Sequence, residues 1–166
     1  MEQEVRIKIS SSLYEVEESL FSFSPEEDVE ELFIEDEVKE NAEPSVLSIN
    51  VTGKFSDDGE RVSITYAEPE GSGMEGASTT VSLLKSAPDV ITMTRTGFFA
   101  VTFVFEEGKR YHCVYNTPYA PFEVCVHTKT VINRIMTERK DISLDYIVEI
   151  RGAMAERTKF NIKVLF

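Results

Sequence analysis

Val46-Leu47-Ser48-Ile49-Asn50-Val51-Thr52-Gly53-Lys54-Phe55-Ser56-Asp57-Asp58-Gly59-Glu60-Arg61-Val62-Ser63-Ile64-Thr65-Tyr66 is the stretch that decides the fold class. Leu47, Ile49, Val51 and Phe55 fall on one parity, with Ser48, Asn50 and Thr52 on the other. Val62, Ile64 and Tyr66 then alternate with Arg61, Ser63 and Thr65. A period of two places successive side chains on opposite faces of a strand. Between the two runs, Ser56-Asp57-Asp58-Gly59 supplies turn chemistry, with glycine where positive φ is needed. The pair reads as a β-hairpin over about 46–66.

The same signal extends in both directions. Upstream, Val5, Ile7 and Ile9 alternate with Arg6, Lys8 and Ser10. Downstream, 79–84 and 90–95 flank a turn expected at Ala87-Pro88-Asp89. The run Phe98–Phe105 is apolar on both faces and reads as a covered central strand. Glu106-Glu107-Gly108-Lys109 turns the chain into Tyr111–Tyr115, and Thr117-Pro118-Tyr119-Ala120 turns it into Phe122–Thr128. Ile142, Leu144, Tyr146, Val148 and Ile150 share one face of a further strand; Phe160, Ile162, Val164 and Phe166 close the series. Many short strands with turns between them mean a sandwich or a barrel. Two places break the period. Ser24-Pro25-Glu26-Glu27 has the form of a capping box with proline at the first helical position. Val29, Leu32 and Phe33 follow at helical spacing, which predicts a short acidic helix over about 25–37. Val131, Ile132, Ile135 and Met136 predict a second helical turn.

Length and composition fit one globular domain: 166 residues, 42% hydrophobic, rich in β-branched and aromatic residues. The net charge of −13 is unevenly placed. Residues 15–43 hold thirteen acids against one base, whereas residues 46–166 hold fifteen acids and fourteen bases. The body is almost neutral beside one acidic segment. That distribution excludes nucleic acid as a partner, since binding it needs lysine and arginine to displace phosphate counterions. No stretch approaches the roughly 18 apolar residues of a spanning helix. Met1-Glu2-Gln3-Glu4-Val5-Arg6 lacks the pattern of a signal peptide. The cytoplasm is the expected compartment, with no membrane partner.

From residue 47 onward an ordered set of motifs points further. Gly73-Met74-Glu75-Gly76 precedes Ser78-Thr79-Thr80; Arg95-Thr96-Gly97, Phe105-Glu106-Glu107-Gly108-Lys109-Arg110, Tyr115-Asn116-Thr117-Pro118-Tyr119 and Asp145-Tyr146 follow. Their order and spacing resemble the bacterial YwiB-like family, a domain of unknown function. The resemblance implies an antiparallel, up-and-down calycin/lipocalin-like β-barrel. With the strand count, the expectation is about 8–10 strands and one or two short helices, in a single domain spanning 1–166 with an acidic helical insertion at about 15–43. The chain departs from the family pattern in that insertion and in Ala120-Pro121, where the family's turn carries glycine. The resemblance implies no mechanism.

Several residues invite chemical readings. Gly71-Ser72-Gly73-Met74-Glu75-Gly76 satisfies G-x-G-x-x-G, but it leads into a β-forming run and lacks the helix whose N-terminus would meet a pyrophosphate. It reads as a strand connection. Cys125 and His127 share a face, and a hairpin centred on Tyr119 would set Cys113 opposite Cys125, with Glu123 nearby. Such donors suit zinc, yet a fourth ligand is not evident, and a free cysteine commonly packs as a small hydrophobe. No metal or cofactor is therefore expected. Arg95 has the parity of Ile91 and Met93, which aims a guanidinium at the apolar face. It must be paired there, either with an acid such as Glu68 or Glu75 or with an anionic ligand at a pocket mouth. Tyr66, Tyr111, Tyr115 and Tyr146 can line a cavity or pack.

With two histidines and no nucleophile–base pair evident, the chain does not read as an enzyme. The leading expectation is non-catalytic binding of a small apolar or amphipathic ligand, with Arg95, Tyr66, Tyr115 and Thr79 as ligand-binding candidates. The alternative is an interaction or assembly module, such as a homodimer, using the acidic insertion.

Overall fold

Ten antiparallel strands form one continuous sheet in a computed structural model that describes residues 1–15, 45–150 and 155–166. The strands are β1 (Glu2–Glu15), β2 (Ser45–Asp57), β3 (Arg61–Ala67), β4 (Ala77–Leu84), β5 (Ala87–Gly97), β6 (Val101–Glu106), β7 (Arg110–Asn116), β8 (Pro121–Asn133), β9 (Asp141–Ile150) and β10 (Ala155–Leu165). Their order is β6-β5-β4-β3-β2-β1-β10-β9-β8-β7, so every strand pairs with its chain neighbours except at β6 and β7. There the sheet curls until its edges meet through one bridge, Ala100–Asn116, with backbone bonds of 2.8 and 2.9 Å. The result is a nearly closed up-and-down barrel with a seam between β6 and β7.

Alternation fills the interior as expected. Val5, Ile7, Ile9, Phe55, Val62, Ile64, Val81, Ile91, Met93, Phe105, Val126, Ile142 and Ile162 are all buried in one core. At Gly53 the barrel wall is tightly packed. A Cβ there would meet the Thr65 carbonyl oxygen and Ile7 Cδ1, so the missing side chain is the space into which Ile7 packs. The first hairpin closes through Asp58, whose carboxylate accepts from Glu60 N at 2.9 Å and Arg61 N at 2.7 Å, and through Gly59 at φ 95°.

Several expectations change. The β4–β5 turn is Lys85-Ser86, and Ala87-Pro88-Asp89 already belongs to β5, because Leu84 pairs with Ala87 after a bulge at Leu83. The run from Phe98 is not a covered central strand. Phe98–Ala100 is a connection, with Phe98 69% exposed, and β6 lies at the seam. At Ala120, where the family's turn carries glycine, φ is not positive: among the described residues the non-glycine residue with positive φ is Lys140, at 53°. No helix occurs among the described residues. Val131 and Ile132 continue β8, and Ile135 is buried at the start of an irregular turn over 134–140. That turn is closed by single turn bonds, Thr137 N to Arg134 O at 3.1 Å and Lys140 N to Thr137 O at 3.3 Å, and braced by an ion pair: Arg134 donates to both Asp141 oxygens, at 2.8 and 2.6 Å, and Asn161 adds a bond of 3.0 Å. The acidic helix expected over 25–37 lies outside the described residues. No described helix is long and apolar enough to cross a membrane.

Two measurements test these fold statements. Gly53→Val should destabilise the barrel by about 1–3 kcal/mol in urea unfolding, through overpacking against Ile7 and the β3 backbone. Burial alone would raise the Asp141 pKa, but the hydrogen bonds from Arg134 and Asn161 hold it below its ordinary value of 3.8. A depressed carboxylate contributes stability above its unfolded pKa and loses it as pH falls through the folded one. Asp141→Asn should therefore cost about 1–2 kcal/mol at neutral pH. Its deficit against the parent chain should shrink as the pH is taken below 3.8; a deficit constant with pH would contradict the ion-pair account.

Candidate functional site

Strand register sets a polar row inside the barrel. Tyr66 pairs with Thr79 across β3–β4, Thr79 with Arg95 across β4–β5, and Arg95 with Val101 across β5–β6. Glu68 joins them because its N–H still donates to Ala77 O at 2.9 Å, which carries the alternation two residues past Tyr66 and turns the carboxylate inward. Its side chain is 3% exposed and that of Arg95 13%. The row lies toward the barrel end where β3 meets β4 through 68–76 and β5 meets β6 through 98–100.

Within the row the charges are close but poorly matched. The Thr79 hydroxyl donates to Glu68 Oε1 at 2.5 Å. Arg95 Nε stands 3.8 Å from the same oxygen, beyond hydrogen-bond range, and this buried N–H makes no hydrogen bond. The guanidinium instead lies over the Phe103 ring, 5.9 Å from its centroid. Tyr115, on β7 across the seam, packs its ring 6.0 Å from Phe103 and 6.5 Å from Phe99, and its hydroxyl reaches Met74 Sδ at 3.5 Å. Burial, with the Glu68 carboxylate alongside, pushes the Tyr66 hydroxyl well above its ordinary pKa, so it remains a neutral donor. Tyr146 packs on Phe105 at 4.6 Å and is raised by burial likewise. Deeper in, the Thr128 hydroxyl is buried without a partner.

Arg95, Tyr66 and Thr79 thus share one row, and Tyr115 reaches it through Phe103. Of the two acids considered for Arg95, the structure uses Glu68. Glu75 is occupied in accepting from Gly71 N at 2.8 Å, inside a loop whose three motif glycines all have positive φ. The G-x-G-x-x-G match is a strand connection.

A second cluster sits on the outer face. The hairpin is centred half a residue from the expected point, because Asn116 pairs with Pro121 around a four-residue loop. Cys113 consequently faces Val124 and packs against the core, and Cys125 faces His112 instead. On its other side Cys125 pairs with Glu149 of β9, which the sequence did not suggest because twenty-four residues separate them. Cys125 Sγ lies 3.8 Å from His112 Nε2, and His127 Nε2 lies 3.3 Å from Glu149 Oε2. Arg110, opposite His127, holds Nη2 at 3.8 Å from Glu149 Oε2. Burial raises the Cys125 thiol and lowers the His127 imidazole, so both are neutral near pH 7. An open cleft of about 350 Å³ also marks the outer face of β1, β10, β9 and β8. Its charged and amide groups include Asn161, which bonds Asp141 and Ser143, and Asp145, which accepts from both arms of Arg157.

With this geometry in hand, the comparisons agree with the ordered motifs. A family model described as a domain of unknown function (DUF1934) matches residues 33–162. The chain belongs to that family. The DUF1934 chain is also similar to the ywiB protein from Bacillus subtilis, whose crystal structure superposes with a TM-score of 0.68 at 13% identity, covering 99% of this chain and 94% of that one. At such identity the likeness shows the fold alone. No curated protein matches.

The Glu68 hydrogen bond has a direct test. Thr79→Val keeps the side-chain shape and removes the donor from a buried carboxylate, so unfolding should lose about 1–3 kcal/mol. A change under about 0.5 kcal/mol would mean that Thr79 does not hold Glu68.

Proposed function

We propose that this DUF1934 barrel is a non-catalytic binding protein for one small amphipathic molecule, with an anionic head on Arg95 and an apolar body against Phe103, Phe99 and Tyr115. The observation that carries the reading is the Arg95 Nε–H, buried and without a hydrogen bond beside a carboxylate that Thr79 already occupies. A buried donor left unmade costs about 1–3 kcal/mol. A guanidinium needs a planar acceptor pair to recover that cost, and a ligand carboxylate supplies one. Aromatic rings around a few convergent polar groups are the usual lining of a small-molecule site. Tyr66, a neutral donor, orients the head in this account, while Glu68, held by Thr79, positions the guanidinium that receives it. Glu68 is committed to Thr79 and Arg95, which favours binding over general acid–base work. The seam between β6 and β7, held by a single bridge, offers the entry path.

The test is a thermal-shift and calorimetry panel of alkyl and aryl carboxylates of graded length, with the matching alcohols as controls. Carboxylates should stabilise the chain and the alcohols should not. Arg95→Met combined with Glu68→Gln removes both charges together, avoids leaving either one buried alone, and should weaken carboxylate binding by about tenfold to a hundredfold. Equal shifts for carboxylates and alcohols, or binding unaffected by the double substitution, would remove Arg95 from the site.

A further inference from the structure

We propose that His112, Cys125, His127 and Glu149, on the outer face of β7, β8 and β9, form a binding site for a thiophilic divalent cation of the zinc class. The site is separate from the interior row, and neither depends on the other. Its geometry follows from register. His112, Cys125 and Glu149 lie side by side across three strands, and His127 is the next outward residue along the central one. Residues directly opposite on neighbouring strands hold their Cβ atoms about 5 Å apart, close enough for side chains of this length to converge.

The donor spacings match what such an ion requires. Bonds of about 2.3 Å to sulfur and about 2.0–2.1 Å to nitrogen or oxygen, near the tetrahedral angle, set ligand atoms roughly 3.3–3.6 Å apart. The Cys125–His112 edge is 3.8 Å and the His127–Glu149 edge 3.3 Å. The donor atoms of Cys125, His127 and Glu149 all lie within 4.8 Å of one another. Convergence of these three on a metal therefore needs side-chain adjustments of about an ångström and no change of strand pairing, and His112, at 3.8 Å from Cys125, completes the set by a larger swing of its ring. A thiolate with imidazoles selects zinc-like ions over magnesium or calcium, which favour all-oxygen sites.

Further features favour a site over a chance cluster. Cys125 and His127 are both buried, although they point away from the barrel interior, and His127 Nδ1 has no hydrogen-bond partner. Arg110 is the group that competes. Its contact with Glu149, at 3.8 Å, is too long for a hydrogen bond, so the bond a metal must replace is the 3.3 Å one between His127 Nε2 and Glu149, with the imidazole proton moving to the unpartnered Nδ1. On binding, the Cys125 thiol proton passes to solvent and the sulfur lone pair goes to the metal. No redox step is involved.

The experiment uses the full chain, reduced and stripped with a chelator, and titrates Co²⁺ as a spectroscopic probe. One equivalent should produce tetrahedral ligand-field bands together with a thiolate-to-cobalt charge-transfer band, and Zn²⁺ should displace both. Cys125→Ser should abolish the charge-transfer band, whereas Cys113→Ser, on the interior face, should keep it. Should Cys125→Ser fail to fold, Glu149→Gln at a partly exposed position serves instead, and should weaken binding by about tenfold to a hundredfold. Absence of the band in the folded parent chain, its survival in folded Cys125→Ser, or unchanged affinity in Glu149→Gln would overturn the site.

Discussion

Pairing of the first strand with the last is the constraint on which the rest of the structure depends. β1 meets β10 over ten consecutive register positions, from Arg6–Leu165 to Glu15–Glu156. A ten-strand meander without that pairing would expose two long edges, and an open edge templates association with other chains. With it, the remaining edges fall at β6 and β7, which lie beside each other and are joined by Ala100–Asn116. Closure brings side chains against the wall, as at Gly53, where Ile7 occupies the space that a side chain would need.

Closure also decides where polar groups can be tolerated. A guanidinium and a carboxylate inside an apolar barrel are costly unless their hydrogen-bonding capacity is met. Here Glu68 is met by Thr79, but Arg95 is only partly met, by a long contact with Glu68 and by the face of Phe103. That imbalance distinguishes the Arg95 row from the Arg134–Asp141 pair at the opposite end of the barrel, where both arms of the guanidinium are used and the turn is simply fixed. The two arginines thus differ in how many of their hydrogen bonds are made within the chain.

Inside and outside of the wall run on the same register. Strand β8 presents Val124 and Val126 to the core, and Cys125 and His127 to the other face, from adjacent positions of one segment. A displacement of the β7–β8 hairpin by one residue would exchange these sets, because the side-chain period is two. The loop prevents it. Thr117 Oγ1 accepts from Tyr119 N and Ala120 N, both at 3.2 Å, and its hydroxyl donates to Ala120 O at 2.9 Å. The outer cluster therefore owes its composition to a turn hydroxyl ten residues away from His127.

The sequence by itself determined which residues face the core, because alternation is local: Ile7, Ile9, Val62, Ile64, Tyr66 and the inward aim of Arg95 all followed from parity, and the ordered motifs indicated the family. It also placed Tyr66, Thr79, Arg95 and Tyr115 among the candidates, although not their meeting, which needs four strands in register and the closure that brings β7 to β6. Apolar spacing misled at Val131–Met136, where β8 continues through Asn133 and the chain then makes isolated turns braced by an ion pair and no helix. Tertiary structure alone decided that Cys125 faces His112 and Glu149 instead of Cys113. Which residues oppose one another depends on where each loop starts and ends, and that is fixed by hydrogen bonds and closure over distances that periodicity does not encode.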